Sequence, residues 1–272
     1  MVTSLRVFGV GRVISHCCVA VLACLTMTAN AETINLVSDN FERADSDTVG
    51  NGWTEWWSTQ PPGGDIVSVF GGRLRIAHNE SGTNRDGGIF RPLAQTSGLT
   101  IAGTVEWFGR QPSASVALSL NSGVGLGIDS VQNALLLNFG PSQSSGGSIG
   151  VTHGNAELLR VPFNFDLAVP YNFEWVVNDD HSTDIRLWLI HQARPNQPTA
   201  STAPLSFFPQ SGSQFGVMAT GGAGCCIYLP YDVRFDNLVA TSNVPLPSAA
   251  ALLLSSLVGL GVLRGRLRGG EA

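Results

Sequence analysis

Acidic residues spaced two apart on a strand point to the same face and can act as a pair of catalytic carboxylates. The chain has no Glu-x-Asp-x-Glu run, and Glu106, Glu174 and Asp184 stand alone within their predicted strands. Residues 146–150 match Gly-x-Ser-x-Gly, but residues 151–155 do not predict the helix that a nucleophile elbow requires. The sequence therefore assigns no catalytic residue and argues against an enzyme that uses such a run of carboxylates, with acids from distant strands as the alternative.

Three tryptophans form an aromatic cluster: Trp53, Trp56 and Trp57. If Trp56 and Trp57 share a strand, their side chains point to opposite faces. One ring can then enter the core, whereas the other needs a cover of protein or ligand. Aromatic rings pack well on the apolar CH faces of sugars. The cluster therefore suggests a glycan platform, and burial of the rings within the protein is the alternative.

Cys225 and Cys226 are adjacent, and the other three cysteines lie within the first 24 residues. Adjacent Cα atoms are about 3.8 Å apart, which is below the usual range for a bridge, so a vicinal disulfide would be strained. Two free thiols are the alternative. No cysteine spacing indicates a disulfide framework or a zinc site.

The charge balance excludes one class of partner. Charged residues make up 13% of the chain, and residues 32–241 hold 10 arginines against 19 acidic residues, a net charge of −9. Binding to a phosphate backbone needs clustered basic residues, so we expect no nucleic-acid partner. The excess of carboxylates is compatible with Ca²⁺, which prefers oxygen ligands.

Residues 1–31 have the pattern of a secretory signal peptide. Arg6 and Arg12 precede an apolar segment, and Ala29 and Ala31 form an Ala-x-Ala cleavage site before Glu32. The expected partners are the Sec translocon and signal peptidase. An uncleaved N-terminal anchor and lipidation at Cys24 are the alternatives.

The C-terminal residues 242–272 combine a proline motif, a short apolar run over 249–263 and a basic end. The residues concerned are Val244, Pro245, Leu246, Pro247, Arg264, Arg266 and Arg268. The apolar run of 15 residues would be about 22 Å long as a helix, which is short for a hydrocarbon core of about 30 Å. Its basic end should stay cytoplasmic.

This tail resembles the PEP-CTERM sorting signal, in a variant with Val-Pro-Leu-Pro in place of Pro-Glu-Pro. The resemblance implies recognition by an exosortase-type enzyme, transient anchoring in the inner membrane, and delivery to the cell surface or extracellular matrix. An ordinary membrane anchor helix is the alternative, and cleavage or retention of the tail stays open.

The segment 32–241 has period-two apolar alternation in many short runs and no sustained helical period. Residues 66–77 predict a hairpin closed by Gly71 and Gly72, and residues 173–189 predict a second one. About twelve strands fit one all-β domain, a two-sheet antiparallel β-sandwich or jelly roll. A signal helix before it and a short transmembrane helix after it complete the expected fold.

Two parts of this segment resemble concanavalin A-like lectin/glucanase sandwiches. They are the Asp-x-Phe-x-Arg-x-Asp stretch at 39–45 with Gly-Asn-Gly-Trp at 50–53, and the closing residues 233–238. The resemblance implies a jelly roll with adjacent first and last strands. Related sandwiches often hold a structural Ca²⁺ between those strands, which would make Asp39 and Asp236 its ligands.

Together these patterns predict an exported surface or matrix protein whose lectin-like sandwich binds extracellular polysaccharide. A secreted glycan hydrolase or lyase of the same fold is one alternative, because the fold hosts several activities. A purely structural surface spacer is the other.

Overall fold

Alternating apolar and polar residues predict strands, and strands form the computed structural model of the chain. The structure describes residues 32–57, 65–78, 86–94, 98–109, 112–119, 134–140, 147–154, 156–206, 213–221 and 230–244. Its strands are β1 (Glu32–Asp39), β2 (Thr54–Trp57), β3 (Asp65–Val69), β4 (Leu74–His78), β5 (Asp86–Pro92), β6 (Leu99–Gly109), β7 (Pro112–Ser119), β8 (Ala134–Gly140), β9 (Ser148–His153), β10 (Ala156–Pro162), β11 (Tyr171–Val177), β12 (Thr183–Leu189), β13 (Ala200–Ser201), β14 (Gln214–Gly221) and β15 (Tyr231–Val244).

The strands form two antiparallel sheets, which confirms the all-β sandwich. Across the described residues, one sheet has eight strands in the order β13-β12-β11-β6-β15-β4-β3, with β1 also paired to β15. The other has seven strands in the order β10-β9-β8-β7-β14-β5-β2. The first and last strands are therefore neighbours, as the resemblance implied, and Thr33 Oγ1 donates a hydrogen bond to Asn243 Oδ1 at 2.9 Å.

The predicted hairpin over residues 66–77 is present as β3 and β4. Phe70 N donates to Arg73 O at 2.9 Å, and Gly71 and Gly72 have φ angles of 58° and 70°. Positive φ at both central residues is what a type I′ turn requires, and glycine adopts it without strain. The hairpin of β11 and β12 is also confirmed, with Phe173 opposite Leu187.

The core lies between the two sheets. In β11, buried residues alternate with half-exposed ones along the whole strand, as expected when one face of a sheet is covered. The largest fully buried side chains include Trp107, Trp175, Phe41, Phe139, Phe173, Phe215 and Phe235. Residues Thr33–Asn243 form one compact unit.

Several predictions fall on residues outside the described ranges. They concern the signal segment with Ala29 and Ala31, the adjacent Cys225 and Cys226, and the tail from Pro245 onward with Arg264, Arg266 and Arg268. Strand β15 ends at Val244, the first residue of the Val-Pro-Leu-Pro motif. In the part of the chain that the structure describes, no helix is long and apolar enough to cross a membrane.

Candidate functional site

The outward side of the seven-stranded sheet carries apolar side chains where a solvent-facing sheet is ordinarily polar. In β14, Val217 belongs to the core between the sheets, whereas the next residue, Met218, belongs to a separate cluster on the other side. This outer-face cluster consists of Trp56, Phe90, Ala117, Ala134, Leu136 and Met218. Trp56 and Phe90 are partly exposed, and the other four are buried. The two aromatic rings are therefore the members of this cluster that a ligand can reach.

Trp56 lies over the neighbouring strand because residue 88 has no side chain. Its partner in the β2–β5 register is Gly88. A Cβ atom at Gly88 would lie 2.9 Å from Trp56 Nε1 and 2.5 Å from the carbonyl oxygen of Val217. Such contacts are too short for any residue with a side chain, so the glycine lets the indole rest on the sheet surface. Phe90 comes two residues later on the same face.

A chain of polar side chains crosses the same face beside the cluster. Ser115 Oγ on β7 donates to Asn138 Oδ1 on β8 at 2.6 Å, and Asn138 Nδ2 donates to Thr152 Oγ1 on β9 at 3.1 Å. Asn138 and Thr152 are half-exposed. The hydroxyl of Thr152 keeps its own proton for a further acceptor. Amide and hydroxyl groups of this kind are able to hydrogen-bond to other hydroxyl groups.

Trp53 does not belong to this face, and its assignment to the glycan platform is corrected. Its side chain is only 7% exposed. Its ring packs on Phe41 at 6.4 Å between centroids and against Phe215 at 5.7 Å, and its Nε1 donates to Asp39 Oδ2 at 2.8 Å. Trp57 pairs in β2 with Gly87, and its side chain lies outside the described part. Of the three tryptophans, Trp56 is thus the one whose described side chain lies on this face and is partly exposed.

Asp39 is a buried acceptor for donors from the connection between β1 and β2. Arg43 donates to Oδ1 at 2.7 Å and to Oδ2 at 3.3 Å, and Phe41 N donates to Oδ1 at 2.8 Å. Oδ2 also accepts from Asn51 Nδ2 at 3.0 Å and from Trp53 Nε1. Burial alone would raise the pKa of Asp39, but these hydrogen bonds, that of Arg43 first, lower it below its ordinary value.

The predicted calcium site at Asp39 and Asp236 does not fit this arrangement. A carboxylate offers about four lone-pair positions, and Asp39 already accepts from five donor groups. Among the described residues, no group of three or more His, Cys, Asp or Glu could hold a metal ion. Burial raises the pKa of Asp236, and the charges of Glu42 and Asp39 act in the same direction. In the structure, the carboxylate of Asp39 accepts hydrogen bonds from Arg43, Asn51, Trp53 and the Phe41 amide.

Carboxylates are widely separated on the outward face of the seven-stranded sheet. By the strand register, the acids on this face within the described ranges are Asp86 on β5 and Glu157 on β10. Five strand spacings separate β5 from β10, a distance of about 24 Å at ~4.8 Å each. A glycosidase needs its two carboxyl groups within about 5–9.5 Å. These two acids cannot work as a catalytic pair.

Sequence reasoning missed Phe90, Met218 and the row formed by Ser115, Asn138 and Thr152. Period-two alternation could place each on a strand face, but β8 is apolar on both faces and gives no alternation to read. The pairing of β7, β8 and β9 brings the row together, and β14 beside β5 brings Met218 to the cluster. Neither neighbourhood has a local sequence signal.

No family model matches the chain, and no curated protein matches it either. Solved structures do share its fold. A β-1,3-glucanase from Mycobacterium marinum is 15% identical, with 76% of this chain and 98% of that chain covered and a TM-score of 0.54. The lectin UEA-II, complexed with galactose, is 12% identical over 78% and 99%, with a TM-score of 0.51.

A potassium-bound form of the Emp46p carbohydrate recognition domain is also similar. It is 19% identical, covers 77% of this chain and 97% of that chain, and has a TM-score of 0.50. Similarity at these sequence identities establishes the fold but not the function. The structural neighbours are concanavalin A-like lectin and glucanase domains, and the sandwich of this chain has the jelly-roll fold that they share.

Proposed function

We propose that this chain is an exported surface or matrix protein whose sandwich binds an extracellular polysaccharide on the outward face of the seven-stranded sheet. The observation that carries the proposal is the position of Trp56, whose indole lies on the sheet over Gly88 and is partly exposed. A sugar ring stacked there has the aromatic surface that carbohydrate CH groups favour. The row from Ser115 to Thr152 supplies polar partners farther along the face.

The size of the face suits a polymer better than a single sugar. Seven strands span six spacings, about 29 Å at ~4.8 Å each. Lectin and carbohydrate-recognition domains of this fold support the same ligand class. Export through the Sec translocon, sorting by an exosortase-type enzyme and passage through the inner membrane belong to this proposal, and their support comes from the sequence of the two ends.

The test is affinity electrophoresis of the full chain in mild detergent, with laminarin, galactomannan and alginate as separate probes. Wild type should be retarded by at least one of them. Trp56→Ala should weaken that binding about tenfold, since loss of one aromatic contact is worth roughly 1.4 kcal/mol. Trp188→Ala is the matched control, because Trp188 is a half-exposed tryptophan on the other sheet. Equal mobility of wild type and Trp56→Ala on every probe would remove the proposal.

A glycan hydrolase or lyase is the second candidate, because a glucanase shares the fold. The separation of Asp86 and Glu157 argues against it on this face. Release of reducing ends or unsaturated products from the three probes by wild type would favour it over simple binding. For export, a tagged copy is expected in the surface or matrix fraction. A full-length copy in the cytosol would contradict that part of the proposal.

A further inference from the structure

We propose that the guanidinium of Arg43 is the resident cation of the site at the end of β1, where calcium was expected, and that Asp39 binds no calcium ion in this protein. A metal ion in this place would tie the first strand to the connection after it. In the structure, Arg43 instead joins Asp39 at the end of β1 to Val49 in the following connection through hydrogen bonds.

The guanidinium contacts the same kind of oxygen atoms that calcium selects. Arg43 Nη1 donates to Asp39 Oδ1, and Nη2 donates to Asp39 Oδ2 and, at 2.9 Å, to the carbonyl oxygen of Val49. Two carboxylate oxygens and a backbone carbonyl are typical calcium ligands. The planar guanidinium suits them equally, because its donors form a fork that matches a carboxylate.

The local backbone is built around this contact. Phe41 has a φ of 52°, and its carbonyl accepts from Arg43 N at 2.7 Å, so the chain turns sharply after Asp39. The turn lets the Arg43 side chain reach back to Asp39, four residues earlier. The guanidinium carbon lies 5.1 Å from the centre of the Phe41 ring, which adds a cation–π contact.

Three other donors occupy the remaining acceptor positions of the Asp39 carboxylate. Phe41 N, Asn51 Nδ2 and Trp53 Nε1 each direct a proton at the carboxylate. A calcium ion would have to displace the guanidinium and at least one of these donors. Trp53 is only 7% exposed, so its Nε1 would lose its acceptor inside the protein, and that exchange is unfavourable.

The experiment is differential scanning calorimetry of the full chain in mild detergent, with EDTA or with millimolar CaCl₂. Wild type should melt at the same Tm in both buffers, apart from any calcium-dependent shift that Asp39→Asn shares. Arg43→Ala should lower Tm by about 5–15 °C, because it removes one partner of a largely buried ion pair. Arg160→Ala is the matched control, since the ion pair of Arg160 with Glu157, at 3.8 Å, is exposed. The Tm of this variant should stay within about 2 °C of wild type.

Calorimetric titration of wild type with CaCl₂ keeps the proposal testable even if Arg43→Ala does not fold. The proposal is overturned if wild type shows a calcium-dependent rise in Tm that Asp39→Asn abolishes. It is also overturned by a calcium-binding heat that Asp39→Asn abolishes. An Arg43→Ala variant that melts like wild type overturns it as well. Calcium binding that is unchanged in Asp39→Asn lies elsewhere in the chain and agrees with the proposal. Failure of glycan binding does not affect these outcomes, because they depend on Tm and calcium heat alone.

Discussion

Asp39→Asn is expected to destabilise the sandwich in a pH-dependent way. The amide keeps one acceptor oxygen but replaces the other with a donor, which then faces other donors. Arg43 loses its counter-charge, and Trp53 Nε1 or Asn51 Nδ2 loses its acceptor. Removing one partner of a buried pair costs about 3–5 kcal/mol. The Arg43 side chain is 30% exposed, so we expect the free energy of unfolding to fall by an amount near the lower end, ~3 kcal/mol.

The pH dependence has a definite sign. The folded-state pKa of Asp39 is lowered from 3.8, so its stabilising contribution is fully present above that unfolded value. It is lost as the pH falls through the folded pKa. The gap between wild type and variant should therefore be widest near neutral pH and shrink toward acid.

Urea unfolding followed by tryptophan fluorescence at several pH values from 7 down to 3 measures this gap. Asp184→Asn is a suitable control, because Asp184 makes one exposed hydrogen bond from Ser201. Its effect should stay within about 0.5 kcal/mol. A difference between wild type and Asp39→Asn that stays below about 1 kcal/mol at pH 7, or that does not change with pH, would refute the reasoning.

Two further changes test the sheet face and the role of Asp236. Gly88→Ala places a Cβ 2.5 Å from the Val217 carbonyl oxygen, so thermal denaturation should show that the free energy of unfolding falls by about 1–3 kcal/mol. Glycan affinity should fall as for Trp56→Ala. An unchanged Tm would contradict the close approach. Asp236 has a raised pKa, with burial as the first cause, so its ionisation disfavours the folded state as the pH rises above the unfolded value. Asp236→Asn should then raise the urea midpoint at pH 7 and lose that advantage in acid, whereas a lower midpoint at pH 7 would contradict this assignment.

The opening motif that resembles lectin and glucanase sandwiches has a structural explanation. Asp39 gathers hydrogen bonds from Arg43, Asn51 and Trp53, and Gly50 and Gly52 take positive φ angles in the turn before β2. The motif therefore ties the first connection of the fold to the core. Its contacts explain the fold and do not identify a ligand, since one fold hosts many functions.

Much of the fold could be predicted from local patterns. The hairpin at Gly71 and Gly72 and the alternation in β11 follow from backbone geometry that neighbouring residues determine. The sequence also separates an acidic, alternating body from apolar ends with arginines. These features need no knowledge of which strands are neighbours in space.

The candidate site could be predicted only in part. Trp53 and Trp56 are three residues apart and equally aromatic, yet one is in the core and the other on the outward face. Asp39 is of a residue type that often binds metal ions, but its carboxylate accepts hydrogen bonds from Asn51 and Trp53, which lie 12 and 14 residues away in the chain. Local sequence does not record such partners.

By itself, the sequence determined that this body is made of strands and turns, because the two-residue period of a strand and the turn preference of glycine act over a few residues. Tertiary structure alone decided which face each aromatic ring occupies and which strands place Trp56 on the same face as Ser115, Asn138 and Thr152. Strand order and register depend on how much apolar surface is buried across both whole sheets, and a short segment of sequence does not determine that amount.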